Sequence, residues 1–189
     1  MSTENHPYKE YGEIKADHER YALTLERMPG RLAGKVLDLG VENPFTPLLK
    51  QSYPELQITN TSPNIDFDTM ALPYPDQSFD YVFSFEVIEH LINPLWNMQE
   101  CRRVLRDDGK IILTTPKGVF PSFMWMDTHF HEIDRGRLQF LFSRAGLKVI
   151  KLEEFNKKPS YWLKMGLLRP VLRIVFGGWF YAEIEKEQD

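Results

Sequence analysis

Residues 72–91 read LPYPDQSFDYVFSFEVIEHL, Leu72 to Leu91, and the fold can be read from this stretch. A turn rich in proline and aspartate runs into an apolar strand, Tyr81, Val82, Phe83, Ser84 and Phe85, and Glu86, Glu89 and His90 come directly after it. A short apolar run bounded by turn residues is the pattern of a buried strand. Open α/β sheets place their ligand sites at the carboxyl ends of strands, so the ionisable cluster marks a candidate site.

On either side of it, Lys35–Leu39 (KVLDL) is the first buried strand of the chain, ending in Gly40, and Leu56–Thr59, the second, Lys110–Thr115, Leu147–Phe155 and Trp179–Ile184 are further strands. Between them lie helices. Ile14, Tyr21, Leu25 and Met28 recur at helical spacing over 13–28, and Pro29-Gly30 stops the run. A short helix is expected over Pro47–Tyr53. Asn93 caps a helix with Pro94 at its first position; it runs to about Arg106 and ends at Asp107-Asp108-Gly109. Asp134 caps a last helix with Leu138, Leu141, Phe142 and Ala145 on one face and Gly146 at its end. Strand and helix alternate, which favours an α/β architecture: a mostly parallel sheet with helices on both faces.

The bulk properties agree. A chain of 189 residues, 42% hydrophobic and 26% charged, is long enough for one domain with a sizeable core. The balance of 23 Lys+Arg against 27 Asp+Glu lacks the basic surplus of a nucleic-acid binder. Cys101 is the single cysteine and has no internal disulfide partner, in keeping with a reducing compartment. The N-terminus has no apolar signal core, and no apolar run is long enough to span a bilayer. The expected organisation is a flexible segment over 1–12 and one domain over 13–189, in the cytoplasm.

Three blocks in this order, VLDLG, DFDTMALPYPDQSFDYVFSFEVIEHL and ECRRVLRDDGKIILTTP, resemble the class I S-adenosylmethionine-dependent methyltransferases, in their small-molecule branch. The likeness covers roughly residues 33–155. HEIDRGRLQFLFSRAGL and KVIKLEEF resemble that family's last helix and sixth strand, and WFYAEIEKE its antiparallel final strand. The resemblance implies a Rossmann-like three-layer sandwich, a seven-stranded sheet with one reversed edge strand, and S-adenosyl-L-methionine as cofactor. It places Asp38 near the cofactor's amino group and Gly40 against its methionine part, Asp68 at the adenine with Thr69 beside it, and Ser84, Phe85 and Glu86 at the fourth-strand end of the site.

The chain departs from the family at this site. The glycine-rich turn, roughly D-x-G-x-G-x-G, reads DLGVENP here, with Glu42 and Pro44 in the second and third glycine places. Glu42 brings a negative charge to the cofactor's carboxylate unless it turns away or pairs with the ammonium, and Pro44 removes a donor. Only Thr61, Ser62 and Pro63 separate the second strand from the candidate third, Asn64–Phe67. A parallel crossover needs about a dozen residues or more, so the sheet is reduced around its second and third strands. No acidic residue ends the second strand; Asn60 or Thr61 is the remaining ribose contact, weaker than a carboxylate. Two functions stay open: a trimmed methyltransferase acting on an oxygen or nitrogen of a small or lipid-linked molecule, and a non-catalytic binding or assembly protein with a degenerate site. An RNA 2′-O-methyltransferase is disfavoured by the acidic balance.

On a helix, Glu86, Glu89 and His90 would share a face at i, i+3 and i+4. Some relatives with this ExxEH pattern, RNA 3′-end and quinone-pathway methyltransferases, hold Mg2+ with it. Metal is not favoured here; its candidate ligands are Glu86, Glu89, His90 and His131. His129 and His131, after the fifth strand, are the candidate general bases, since imidazole titrates near neutrality. Phe120, Phe123, Met124, Trp125, Met126 and Phe130 crowd the loop after that strand, as a substrate lid or as ordinary core. Residues 156–177 form an amphipathic insertion between the last two strands, and 159–177 could serve a homodimer or a peripheral membrane contact.

Overall fold

A computed structural model describes residues 18–118, 129–131, 133–156 and 178–188. Its elements, in chain order, are α1 (His18–Leu25), β1 (Gly34–Asp38), α2 (Phe45–Ser52), β2 (Leu56–Asn60), β3 (Phe79–Phe85), a 3₁₀ turn (Ile88–His90), α3 (Pro94–Val104), β4 (Leu105–Pro116), α4 (Arg135–Arg144), β5 (Leu147–Phe155) and β6 (Trp179–Lys186). The first five residues of the expected first helix, most of the aromatic lid and nearly all of the amphipathic insertion lie outside the described residues.

Six strands form one sheet in the order β2-β1-β3-β4-β6-β5. β1 to β4 pair in parallel, and β6 runs antiparallel to both β4 and β5. The mostly parallel sheet with a reversed last strand is as expected. Two details are corrected. The reversed strand lies inside the sheet, between β4 and β5, so β5 and not β6 is the edge. The sheet has six strands, not seven, among the described residues. Asn64–Phe67 forms turns, because the short connector after Asn60 cannot carry a crossover.

Alternation along the strands sorts side chains between two cores. Leu37, Val82, Ile111, Leu113, Ala182 and Ile184 face α3 and α4, packing with Met98, Val104, Leu138 and Phe142. Val36, Phe83, Ile112 and Tyr181 face the other way, toward Tyr21 of α1 and Phe45 and Leu49 of α2. The result is helix, sheet, helix. Each fully buried large apolar side chain contributes about 1.5–3 kcal/mol, and Leu37, Phe83, Phe142 and Phe180 are all fully buried.

The end of α3 is a further correction. The helix stops at Val104, and β4 begins at Leu105, which is buried and pairs with Phe79. Asp107-Asp108-Gly109 therefore lies within the strand. The register shifts between Phe79 and Tyr81, and a Cβ on Gly109 would sit 2.8 Å from the Asp80 carbonyl oxygen. Gly109 lets two backbones pass closely at a bulge, where the sequence suggests a helix stop.

The stretch 72–76 is fastened from α3. Arg103 donates to the carbonyls of Leu72 (2.8 Å) and Tyr74 (2.9 Å) and to Asp76 (2.8 Å). Buried Glu100 accepts from the Leu72 amide (2.8 Å) and from Arg103. This network sets the loop that leads into β3.

Candidate functional site

β1 and β3 end side by side, with Asp38 opposite Phe83 and the Leu39 amide donating to the Phe83 carbonyl (2.9 Å). The loops leaving the two strands therefore open at the same edge of the sheet. On the β1 side, Asp38 is 3% exposed. Burial pushes its carboxyl up to about 7, against the hydrogen bond from the Asn60 side chain. Gly40 comes two residues later at φ +111°, and a Cβ there would meet nothing within 4 Å. Backbone stands bare at this point, as a closely approaching ligand requires.

Beyond Gly40 the loop closes on itself. Glu42 turns to the surface and pairs with Lys50 at 3.0 Å. Its charge at the turn is thus offset by a lysine of α2. The Asn43 side chain accepts from the Phe45 amide (2.8 Å), and the Asn43 amide donates to Thr46 Oγ1 (3.3 Å). Asn43 and Thr46 thereby cap the start of α2, beside the glycine places that Glu42 and Pro44 fill.

The end of β2 folds inward over the same turn. Asn60 Nδ2 donates to Asp38 Oδ2 (3.0 Å) and to the Gly40 carbonyl (3.4 Å). Thr61 Oγ1 accepts from the Gly40 amide (2.7 Å), and the Thr61 amide donates to the carbonyls of Asp38 and Gly40. Farther on, Asp68 Oδ1 accepts from the Asn93 amide at the head of α3 (2.7 Å). Thr69 donates to Asp66 (2.7 Å), so the expected pair is braced by a third residue.

On the β3 side, Ser84 is fully buried and its hydroxyl has no hydrogen-bond partner among the described residues. The Phe85 ring meets Phe45 edge-on, centroids 5.1 Å apart. Glu86 has φ +56°, a left-handed backbone rare for a residue with a side chain. Its Oε1 accepts from Thr114 (3.0 Å), its Oε2 from Trp179 (2.8 Å), and Arg20 of α1 lies 3.6 Å away. The expected helical face of Glu86, Glu89 and His90 does not form: the left-handed residue turns the chain before a single 3₁₀ turn begins, and Glu86 ends against β4 and β6.

Glu89 is fully buried. Oε2 accepts from Thr115 (3.1 Å), while Oε1 has no hydrogen-bond partner among the described residues. Burial holds this carboxyl well above the usual range, and nearby Glu86 adds to the effect. His90 Nε2 lies 3.9 Å from Glu89 Oε1, and the rings of His90 and His129 meet nearly perpendicular, centroids 4.9 Å apart. Donor atoms of Glu89, His90 and His129 all lie within 4.8 Å of one another. The Glu89 carbonyl anchors the loop that delivers His129, accepting from the amides of Phe130 (2.8 Å) and His131 (3.1 Å). His131 itself lies against the Ile92 carbonyl, 3.4 Å from it. Of the four expected metal ligands, Glu89 and His90 come together; His129 joins them where His131 was expected, and Glu86 stands with Thr114 and Trp179.

Arg20, Thr114, Thr115 and Trp179 also shape this site, and no local motif marks them as a group. The Thr114-Thr115 pair closing the fifth-strand pattern was the one available sign. The positions of Arg20 and Trp179 depend on long-range packing.

Residues 22–113 match the methyltransferase domain family. The chain is 31% identical over 123 residues to a probable S-adenosylmethionine-dependent methyltransferase of Mycolicibacterium smegmatis, covering 62% of this chain and 45% of that protein. It is 41% identical over 46 residues to the 27-O-demethylrifamycin SV methyltransferase of Amycolatopsis mediterranei, covering 24% and 17%. The chain thus spans less than half the length of these curated relatives. Among solved structures, the complex of the Haloferax volcanii Trm112 methyltransferase activator with a methyltransferase superposes with a TM-score of 0.66 at 16% identity, over 90% of this chain and 91% of that one; this shows a shared fold.

Proposed function

The chain belongs to the class I S-adenosylmethionine-dependent methyltransferase family, and from that membership we propose that it transfers a methyl group from S-adenosyl-L-methionine to an oxygen or nitrogen of a small or lipid-linked molecule. The observation that carries this reading is that the bare turn at Gly40 and the group of buried Glu89 with half-buried His90 and His129 follow neighbouring strands, β1 and β3, that end side by side. The open face of Gly40, the buried Asp38 carboxyl and the Ser84 hydroxyl, which has no hydrogen-bond partner among the described residues, fit a ligand that enters between β1 and β3. Asp38, Gly40, Asp68, Thr69, Ser84 and Phe85 are the residues that would hold the cofactor. When bound, it supplies a methyl group on a sulfonium, open to in-line attack.

The chain's own part is to position the acceptor and take its proton. His129 is the proposed base, with His90 beside it and Glu89 behind His90. Alignment and general-base action each lower the barrier, the latter by about 10²–10⁴-fold in rate. The short match to a 27-O-demethylrifamycin SV methyltransferase supports a small-molecule oxygen acceptor. Calorimetric titration with S-adenosylhomocysteine is the first test: saturable heat is expected. No heat and no thermal shift at millimolar ligand would favour the rival, a non-catalytic assembly protein. In a turnover assay His129→Ala should lose about 10²-fold or more in kcat; full turnover would remove it as the base.

One observation favours a second reading of the same group. Glu89 Oε1 has no hydrogen-bond partner among the described residues and faces two imidazoles within ligating reach, the donor set of a divalent cation. Titration with Mn2+ alone decides between them. A melting temperature raised by Mn2+ in the parent protein and unmoved in Glu89→Gln would support the metal; an unchanged curve in both would dispose of it.

A further inference from the structure

We infer that the methyl acceptor is an amphiphile whose hydrocarbon chain lies over Ile92 and Phe130 while its nucleophilic atom meets His129. The inference rests on the acceptor reading above and names the substrate class of that same site. Six large apolar side chains stand exposed among the described residues. Phe140 is on α4 and Ile150 on β5; the other four, Val41, Met70, Ile92 and Phe130, lie in the loops that follow β1, β2, β3 and β4 in turn. Those strands are parallel, so the four loops leave the same edge of the sheet, the edge that holds the candidate site. Single exposed apolar residues are ordinary on a protein surface, whereas a group of them on one edge marks a binding surface.

Three of the four are held together beside the imidazoles. The Phe130 amide donates to the Glu89 carbonyl (2.8 Å), and His131 Nε2 lies 3.4 Å from the Ile92 carbonyl, so the segments 89–92 and 129–131 run side by side. Ile92 is 69% exposed and Phe130 61%. Ile92 comes two residues after His90 and Phe130 directly after His129, the two imidazoles whose rings meet. Met70 joins them at the head of α3: Asp68 Oδ1 accepts from the Asn93 amide (2.7 Å), and the Met70 carbonyl accepts from Trp96 Nε1 (3.4 Å). The Glu89, Ile92 and Met70 carbonyls are thus engaged within the chain, and exposed hydrocarbon is what these loops offer a ligand beside His129. A sugar or a charged peptide gains little from such a surface. An alkyl chain gains about 4-fold in affinity for each methylene it fully buries. An acceptor with its polar end at His129 and its apolar part along Ile92, Phe130 and Met70 matches both halves of the site.

The test is calorimetric titration of the parent protein, saturated with S-adenosylhomocysteine, with 4-ethylphenol, 4-butylphenol and 4-hexylphenol. Half-burial of each added methylene gives about 2-fold, so the hexyl compound should bind about 10-fold or more tighter than the ethyl compound. Ile92→Ser and Phe130→Ser should each lose part of that gain, and the double variant should bind all three within about 3-fold of one another. Phe140→Ser, which changes an exposed apolar residue of α4, should keep the full gain. Unchanged heat with S-adenosylhomocysteine shows that each variant is folded. Equal affinities across the series in the parent, or no alkylphenol heat, with S-adenosylhomocysteine bound, overturns the inference and leaves the cofactor reading intact. A gain kept in both single variants and the double variant, or lost as much in Phe140→Ser, overturns it as well. No heat with S-adenosylhomocysteine overturns the cofactor reading and the inference with it. Phosphatidylcholine vesicles separate a single acceptor from a membrane: co-flotation of the parent that the double variant loses, beside a flat alkylphenol series, would assign the patch to a bilayer surface and overturn the inference.

Discussion

Asp38 carries a carboxyl that burial pushes up to about 7, opposed by the Asn60 amide. A carboxyl with a raised folded-state pKa favours the fold fully below its unfolded value, near 4, and that contribution is lost as pH rises through about 7. Asp38→Asn removes the titration while keeping an acceptor for Asn60. Its stability relative to the parent should therefore rise between pH 4 and pH 8, by on the order of 2–4 kcal/mol, and level off above. Paired denaturation curves across that range are the check; a constant difference would show that Asp38 does not titrate as described. Glu86 poses the opposite case, a strained backbone held by its side chain. Its φ of +56° suits glycine, while its carboxylate binds Thr114 and Trp179. Glu86→Ala loses those bonds and keeps the strain; Glu86→Gly loses them and relieves it. The glycine variant should be the more stable of the two by about 1 kcal/mol in urea denaturation, and equal stabilities would mean that no strain is stored there.

Among elements, the loop 72–76 and α3 form one unit through Arg103 and Glu100. Arg103 is the donor to two loop carbonyls, to Asp76 and to a carboxylate that also receives the Leu72 amide. Arg103→Met keeps the packing of the stem but leaves Glu100, largely buried, without its partner. The expected loss is about 2–4 kcal/mol, less for the residual exposure of Arg103. The double variant Arg103→Met, Glu100→Gln should recover part of it; a double variant no more stable than Arg103→Met would argue against an uncompensated charge as the cause. The same pair holds the Pro/Asp turn to α3 just before β3 begins.

Over the whole molecule, the strand ladders are longest among β3, β4, β6 and β5 and shortest on the side of β1 and β2. β2 is an edge of five residues paired on one side only. Amides of Gln57–Asn60 should exchange with solvent faster than those of Val82–Phe85, read by hydrogen-exchange mass spectrometry; equal protection would mean that β2 opens only with the whole fold. The local chemistry already contains much of this architecture. Apolar runs at 35–39, 81–85 and 110–115 announce buried strands because the hydrophobic effect acts on composition and period, which are local. Asn93-Pro94 and Asp134 announce helix starts because a cap is satisfied within a few residues. The three-residue connector after Asn60 excludes a crossover by length alone. Tertiary structure decided the rest, because these features join residues distant in the chain. β6 inserts between β4 and β5 through pairing across long separations. Glu86 turns to Trp179, ninety-three positions away; His129 and not His131 meets His90; and Asn60 faces inward because a buried carboxylate at Asp38 needs a donor. Local pattern thus determined that strands, helices and an acidic edge exist, while burial and hydrogen-bond satisfaction in the folded chain decided which way each polar side chain of the site points.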